Sequence, residues 1–108
     1  MFARIGVWQG NTDELERWIT RSSKEVKPAV QAQPGVNGAF WLIDRQNLKA
    51  LTITLWDSEA AMLKSDERAA ALQAGTSAVS GARSTTERYE IVDQFRARIG
   101  VSLDGSRV

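Results

Sequence analysis

The sequence predicts an α+β fold whose elements follow one another as β-α-β-β-α-β, the split βαβ or ferredoxin-like arrangement. The strongest evidence lies between Pro34 and Met62, where two alternating segments are joined by a short connection and followed by the start of a helix. A helical pattern also precedes this pair, and a strand-like segment lies near each end. This order predicts a four-stranded sheet with both helices on one face, which leaves the other face to be covered by something else.

The first strand is predicted at Phe2–Trp8, an apolar run rich in β-favouring residues. Asn11 or Thr12 is expected to cap the helix that follows, and Asn11 with Glu14 resembles a capping box. Five apolar residues then recur at helical spacing and define the buried side of this helix. They are Leu15, Trp18, Ile19, Val26 and Val30. Pro34-Gly35 is expected to end the helical segment.

Two strands, at 37–44 and 48–57, are predicted on either side of a hairpin in which Asn47 is best suited to left-handed backbone. Pairing across the hairpin places Phe40 opposite Ile53 and Trp41 opposite Thr52. Alternation then sorts the side chains onto two faces. One carries Phe40, Leu42, Leu51, Ile53 and Leu55; the other carries Trp41, Ile43, Thr52, Thr54 and Trp56. The helices can cover only one of these apolar faces, so we expect a homodimer that buries the first.

Asp57 or Ser58 is expected to cap the second helix, which is predicted to end near Leu72. Residues 73–86 are small, polar and glycine-containing, and are predicted as a helical turn and a loop. The last strand is predicted at 87–95. Because strands one and four are neighbours in this fold, Arg4 and Glu90 are expected to form an ion pair.

The length of 108 residues predicts one domain, at 1–96, followed by a tail at 97–108. Ile99, Val101 and Leu103 alternate with polar or small residues, as in a half-buried strand. The tail is therefore either an arm that reaches the partner subunit or a frayed end of the chain.

The chain has no cysteine and no histidine, which excludes thiolate sites and removes the commonest general base and metal ligand. We therefore expect no metal and no cofactor, haem included. The net charge of +1 does not favour a nucleic-acid partner. No apolar run approaches the roughly 20 residues of a membrane span, and the start lacks the basic region of a signal peptide. The expected location is cytoplasmic, with no membrane partner.

Three features resemble the dimeric α+β barrel superfamily, and more narrowly its antibiotic biosynthesis monooxygenase-type domains. They are the element order, Pro34-Gly35 before the second strand, and the Trp-Asp-Ser-Glu-Ala-Ala junction at 56–61. The resemblance covers residues 1–96 and implies a homodimer whose two sheets pack face to face, with a ligand cleft between the sheet and the helices of one subunit. Such proteins include cofactor-independent oxygenases, haem-degrading enzymes, muconolactone-type isomerases and small proteins without known activity.

The resemblance also sets expectations for the chemistry. In the haem-degrading branch, Trp56 would match a tryptophan at the end of strand three, but strand one has no asparagine and the axial histidine is missing. We therefore do not expect haem degradation. The quinone-forming oxygenases use tryptophan, asparagine, tyrosine and arginine to stabilise a substrate anion. Trp56 alone has a matching position, whereas Trp41, Asn37, Tyr89 and Arg4 are present by type.

Six residues are candidates for the lining of a ligand cleft, and no catalytic residue is identified. They are Trp56, Trp41, Thr52, Thr54, Trp18 and Asn37. Trp56 either stacks on a flat aromatic ligand or fills the core beside the second helix. Thr52 and Thr54 either offer hydroxyls to a ligand or stabilise the strand.

Three functions stay open at this point. The first is a homodimer that binds a small aromatic or polyketide-like molecule and oxidises it as a cofactor-independent monooxygenase. The second is a non-catalytic ligand-binding or stress-related dimer of the same fold. The third, muconolactone-type isomerisation, requires a carboxylate in the cleft.

Overall fold

A computed structural model describes residues 1–95, in which four strands form one antiparallel sheet in the order β2-β3-β1-β4. The strands are β1 (Phe2–Gln9), β2 (Val36–Asp44), β3 (Lys49–Trp56) and β4 (Arg83–Glu90). The helical segments are α1 (Thr12–Arg21), a π-helical turn (Ser22–Val26), α2 (Lys27–Gln31), α3 (Glu59–Lys64) and α4 (Asp66–Ser80). This element order confirms the predicted α+β, ferredoxin-like fold.

Two of the predicted helix starts are confirmed by their hydrogen bonds. The Glu14 backbone N–H donates to Asn11 Oδ1 at 2.8 Å, and the Asn11 backbone N–H donates to Glu14 Oε1 at 2.8 Å, which is the reciprocal capping box. Ser58 caps α3, because its Oγ accepts from the backbone N–H of Ala61 at 3.1 Å. Both helices therefore begin where side-chain oxygens satisfy free backbone donors.

The hairpin between β2 and β3 has the predicted pairing but not the predicted left-handed residue. Phe40 lies opposite Ile53, and Trp41 opposite Thr52. Leu48, and not Asn47, has the positive φ, at 54°. The Asp44 carboxylate accepts hydrogen bonds from the backbone N–H of Asn47 at 3.1 Å and from its Nδ2 at 2.8 Å. These bonds hold Asn47 in the turn, so the left-handed conformation falls on the next residue.

The predictions for the second helix and the last strand are wrong in their limits. Helix α4 continues to Ser80, and the left-handed Gly81, with a φ of 85°, ends it. A small residue suits this helix where it meets α1, because a Cβ on Gly75 would lie 2.8 Å from the Arg21 guanidinium. The small, polar and glycine-containing composition of residues 73–86 instead predicts a helical turn and a loop.

Strand β4 begins at Arg83 because it pairs with β1 along its whole length, from Gln9 opposite Arg83 to Phe2 opposite Glu90. This register places Arg88 opposite Arg4. The expected ion pair between Arg4 and Glu90 is therefore wrong, and Arg4 pairs with Asp66 of α4 instead.

The sheet has one covered face and one open face. On the covered face, Trp8 of β1 packs in a core cluster with Leu15 and Trp18 of α1 and with two alanines. The open face carries the predicted apolar set, of which Phe40 is 55% exposed and Leu42 43% exposed. The helices of the same chain therefore leave an apolar sheet surface uncovered.

The predicted tail at 97–108 lies outside the described residues. Within residues 1–95, no helix is long and apolar enough to cross a membrane.

Candidate ligand-binding cleft

A cleft of 60 Å³ lies between the covered face of the sheet and the helices. Five of the six predicted residues line it: Trp18, Trp41, Thr52, Thr54 and Trp56. They share this space because Trp41 and the three β3 residues point to the same face of the sheet, while α1 holds Trp18 above them. Asn37 is exposed near the start of β2, outside the lining, with its Nδ2 3.5 Å from the sulfur of Met1.

Sequence reasoning missed several residues of this lining. Arg4, Gly6 and Trp8 come from alternate positions of β1 and form part of the floor of the cleft. Their period-two spacing indicates that the three side chains share one face of the sheet. Which face that is depends on how β1 pairs with β3. Thr76 comes from the part of α4 for which the composition predicts a helical turn and a loop, and Ser22 comes from the π-helical turn.

Arg4 is the buried charge of the cleft, with only 5% of its surface exposed. Its Nη2 donates to the backbone oxygen of Met62 at 2.5 Å, to Ser65 Oγ at 2.9 Å and to Asp66 Oδ1 at 2.5 Å. The guanidinium carbon lies 5.3 Å from the centre of the Trp56 ring, within the range of a cation–π contact. These contacts tie β1 to α3 and α4 at one end of the cleft.

Asp66 is shared between two arginines at the rim of the cleft. Its Oδ2 lies 3.1 Å from Arg88 Nη2, in addition to the contact between its Oδ1 and Arg4. Partial burial raises the pKa of the Asp66 carboxyl, but the hydrogen bond and charge of Arg4, with those of Arg88, outweigh it. The pKa of Asp66 therefore lies below its ordinary value of 3.8.

Trp56 and Thr54 are hydrogen-bonded to one another. Trp56 Nε1 donates to Thr54 Oγ1 at 2.9 Å, and the Thr54 hydroxyl in turn donates to the backbone oxygen of Arg4 at 3.4 Å. Trp56 is almost fully buried. Its ring packs beneath the Arg4 guanidinium, and its N–H is already used within the protein.

Other donors in the lining have no such partner. Five buried side-chain atoms of the lining residues have no hydrogen-bond partner among residues 1–95. They are Arg4 Nε, Trp8 Nε1, Trp18 Nε1, Trp41 Nε1 and Thr76 Oγ1. Gly6 leaves room for one of them, since a Cβ there would lie 3.1 Å from Trp8 Nε1 and 3.3 Å from Gln73 Nε2. These unpartnered polar atoms are buried among the residues that surround the cleft.

Two outer grooves, of 300 Å³ and 240 Å³, adjoin the cleft. Trp41 lines the cleft and both grooves, and Lys27 lines both grooves. The half-buried Trp41 ring therefore separates a small inner space from larger outer ones.

No carboxylate occurs among the described residues that line the cleft or these two grooves. With no histidine in the chain either, the site lacks an ordinary general base. The carboxylate that muconolactone-type isomerisation requires is also missing from this lining.

The described residues do not suit a metal or haem. Residues 1–95 hold no group of three or more acidic, histidine or cysteine residues able to bind a metal ion. The chain has no histidine or cysteine for a haem axial ligand, and the inner cavity of 60 Å³ is much smaller than a porphyrin.

Comparison with known proteins extends this picture. No family model matches the sequence. Two uncharacterised proteins of Mycobacterium tuberculosis, one from each of two strains, are 25% identical over 96 residues. The match covers 89% of this chain but 43% of each relative, so the chain spans less than half their length.

Several solved structures share the fold. A putative antibiotic biosynthesis monooxygenase from Deinococcus radiodurans has a TM-score of 0.71 at 12% identity, over 91% of this chain and 99% of that one. A mutant form of SnoaB, a cofactor-independent oxygenase from Streptomyces nogalater, has a TM-score of 0.71 at 11% identity, over 89% and 97%.

Two further structural neighbours are a protein with bound heme and a dimeric protein. The heme-degrader MhuD from Mycobacterium tuberculosis, with two hemes bound in its active site, has a TM-score of 0.70 at 20% identity, over 89% and 100% of the two chains. A dimeric ferredoxin-like protein from an uncultured marine organism has a TM-score of 0.66 at 14% identity, over 90% and 100%. The resemblance to the antibiotic biosynthesis monooxygenase-like fold is thereby confirmed.

Proposed function

We propose that this chain forms a homodimeric α+β barrel whose tryptophan-lined cleft binds a small aromatic or polyketide-like molecule. The observation that carries the proposal is the convergence of all four tryptophans of the chain on one cleft: Trp8, Trp18, Trp41 and Trp56. Ring surfaces of this kind suit a flat aromatic ligand.

The dimer is proposed from the open face of the sheet. Phe40 and Leu42 expose apolar surface there, and Leu51, Ile53 and Leu55 of the same face are only partly covered. A second sheet packed against this face would remove it from water. The dimeric state of one structural neighbour of the same fold supports this assembly.

The composition and size of the cleft favour ligand binding without catalysis. The lining offers hydrogen-bond donors and ring surface but no base, and the inner space of 60 Å³ is below the several hundred cubic ångströms of an ordinary ligand site. A ligand would have to extend past Trp41 into the outer grooves.

Cofactor-independent oxygenation is the second candidate, because SnoaB, a cofactor-independent oxygenase, shares the fold. In this reading, a bound molecule would react with oxygen directly. The protein would contribute desolvation and oriented hydrogen-bond donors.

A thermal-shift screen with quinols and flavonoid-like compounds tests the proposed binding, and an oxygen electrode separates the two candidates. We expect a raised melting temperature with at least one aromatic compound. Oxygen uptake that scales with protein concentration would establish the oxygenase, whereas binding without uptake would establish the non-catalytic reading. Failure of every compound to bind would refute the cleft as a ligand site.

We also propose that residues 1–96 act as one domain and that the protein is cytoplasmic. These proposals rest on its length and composition alone.

A further inference from the structure

One residue that the sequence predicted for the cleft has no place in it. Asn37 lies outside the lining, on the exposed surface at the start of β2, and is directly followed by Gly38. An asparagine before a glycine is prone to spontaneous deamidation. The backbone nitrogen of the second residue attacks the side-chain amide of the first, and glycine has no Cβ that hinders this attack. Whether a folded protein permits the reaction depends on how firmly it holds the two residues.

The backbone at Asn37 is the irregular point of β2. Val36 lies opposite Trp56 and Gly38 lies opposite Leu55, so Asn37 is the extra residue of a bulge. Strand β2 is also an edge strand of the described sheet. The ladder that keeps a strand extended is therefore interrupted at the place where the backbone nitrogen must approach the side chain.

The side chain of Asn37 is also held less firmly than those of the other two asparagines of the chain. Asn11 Oδ1 accepts the 2.8 Å hydrogen bond of the capping box, and Asn47 Nδ2 donates to the Asp44 carboxylate at 2.8 Å. In the part of the chain that the structure describes, the Asn37 side chain makes one such contact, from its Nδ2 to the Met1 sulfur at 3.5 Å. A thioether is a weak acceptor, so this contact restrains the amide little.

The fold does not require glycine at the position after Asn37. The glycines with positive φ among the described residues are Gly35 and Gly81, not Gly38. A Cβ on Gly38 would meet the Leu55 side chain at 3.7 Å, which is an ordinary contact. Gly38→Ala should therefore fold normally, and it can separate the chemistry of this dipeptide from its structural role.

We propose that Asn37-Gly38 is a self-modification site at which the folded protein converts Asn37 to aspartate and isoaspartate. The Gly38 backbone nitrogen loses its proton to base and bonds to Asn37 Cγ. The bond between Cγ and Nδ2 breaks, and Nδ2 takes up a proton and leaves as ammonia. Water then opens the succinimide ring, either at Cγ, which yields aspartate, or at the backbone carbonyl carbon, which yields isoaspartate. The reaction consumes water and requires no oxidant.

The products would change the end of β2 beside one outer groove. Val36 and Gly38, on either side of Asn37, both line the groove of 240 Å³. Isoaspartate inserts the former Cβ into the main chain between these two residues, and both products carry a negative charge where asparagine is neutral. Protein that has aged would therefore present a different groove from newly made protein.

Peptide mapping by mass spectrometry tests the proposal on the full chain. A native sample and a sample unfolded in guanidinium chloride are kept at physiological temperature and mildly alkaline pH, and the conversion of each asparagine is followed with time. We expect Asn37 to convert at comparable rates in both samples, while Asn11 and Asn47 stay largely unconverted in the native one. Labelling with an isoaspartyl methyltransferase would detect the isoaspartate product.

Two variants isolate the chemistry. In Gly38→Ala, the added methyl hinders the attacking nitrogen, so conversion of Asn37 should fall severalfold. Asn37→Gln keeps the amide but would have to close a larger ring, so no isoaspartate should accumulate at this position. Circular dichroism would verify that both variants are folded.

Two results would overturn the proposal. One is protection of Asn37 in the native sample, with conversion only in guanidinium chloride, which would mean that the fold holds the bulge too firmly. The other is equal conversion of Asn37 in the natural protein and in Gly38→Ala. Neither result bears on the ligand-binding function, which the thermal-shift screen tests separately.

Discussion

At the scale of single residues, the site depends on a few side chains whose partners lie far away in sequence. Arg4 bonds to Met62, Ser65 and Asp66, from 58 to 62 positions along the chain. A buried arginine is tolerated only where a carboxylate and several oxygens satisfy it. The contact between Arg4 and the Trp56 ring adds to the same cluster. This cluster therefore holds one end of the cleft in place.

The depressed pKa of Asp66 predicts a contribution to stability that depends on pH. Since the pKa is lower in the folded protein, the contribution is present above the ordinary value of 3.8 and is lost as pH falls through the folded pKa. Asp66→Asn should therefore be less stable than the natural protein at neutral pH, with the difference shrinking below about pH 4. Urea titrations across this range would measure it.

Glu67→Gln is the matched control for this experiment, because Glu67 is an exposed acid on the same turn of α4. A stability difference between Asp66→Asn and the natural protein that stays constant from neutral to acidic pH would contradict the assignment.

Gly6 offers a test of the cleft floor. Gly6→Ala would place a methyl group 3.1 Å from Trp8 Nε1 and 3.3 Å from Gln73 Nε2, inside the cleft. We expect the affinity for an aromatic ligand to fall about tenfold, as for one added methylene in a tight pocket. The control is Gln46→Ala in the exposed hairpin, outside the lining of the cleft and of both outer grooves. An equal effect of both substitutions on ligand affinity would contradict the placement of the ligand.

At the scale of elements, the helical layer is built from short pieces. The first helical segment changes from α1 to a π-helical turn and then to α2, with Ser22 and Val26 of the π-turn in the cleft lining. Such turns often lie at functional sites, because the extra residue changes which side chains face inward. The capping box between Asn11 and Glu14 stabilises the start of this helical segment, directly after β1.

The capping box is open to direct measurement. Asn11→Ala removes the oxygen that accepts from the Glu14 N–H, and we expect it to reduce the free energy of unfolding by about 0.5–2 kcal/mol. In a domain of this size, each 1 kcal/mol lowers the melting temperature by about 4–8 °C. Asn11→Ser, which restores a capping oxygen, should recover most of the loss at equal protein concentration. A variant Asn11→Ala that melts like the natural protein would contradict this role.

At the scale of the whole molecule, the main feature is an apolar sheet face that the helices of the chain leave uncovered. One side of the sheet is closed by helices, and the other presents Phe40, Leu42 and their neighbours to solvent. Each of the two curated relatives is more than twice as long as the part of its sequence that matches this chain. The partner that we propose for the open face is a second copy of this chain.

The proposed dimer predicts the effect of charge on the open face. Ile53→Lys should disrupt both the dimer and the fold, since Ile53 sits in the central strand β3. Phe40→Lys, at the exposed edge strand β2, should raise the dimer dissociation constant at least about tenfold with the subunit still folded. Light scattering at micromolar concentration would measure the mass, and Gln46→Lys in the exposed hairpin is the control. A natural protein that is folded and monomeric would refute the interface.

The sequence by itself determined the features that depend on neighbouring residues. Local spacing predicts three of these features: the capping box at Asn11, the cap at Ser58 and the pairing of Phe40 with Ile53. Each of them involves residues that lie within about 14 positions of one another. The same local signals predicted the element order, the two-faced sheet and six candidate cleft residues, of which the structure places five in the lining.

Only the tertiary structure decided the features that depend on distant partners. The polar edge strand β4 takes its limits from pairing with β1, and the small residues of α4 form a helix because α1 packs against them. Arg4 finds Asp66 and not Glu90 for the same reason. Which indole N–H groups are paired is also decided there: Trp56 Nε1 donates to Thr54, whereas the buried Nε1 atoms of the other three tryptophans have no partner among the described residues. Hydrogen bonding in the interior depends on which groups the fold brings within about 3 Å, and no spacing along the chain encodes that distance.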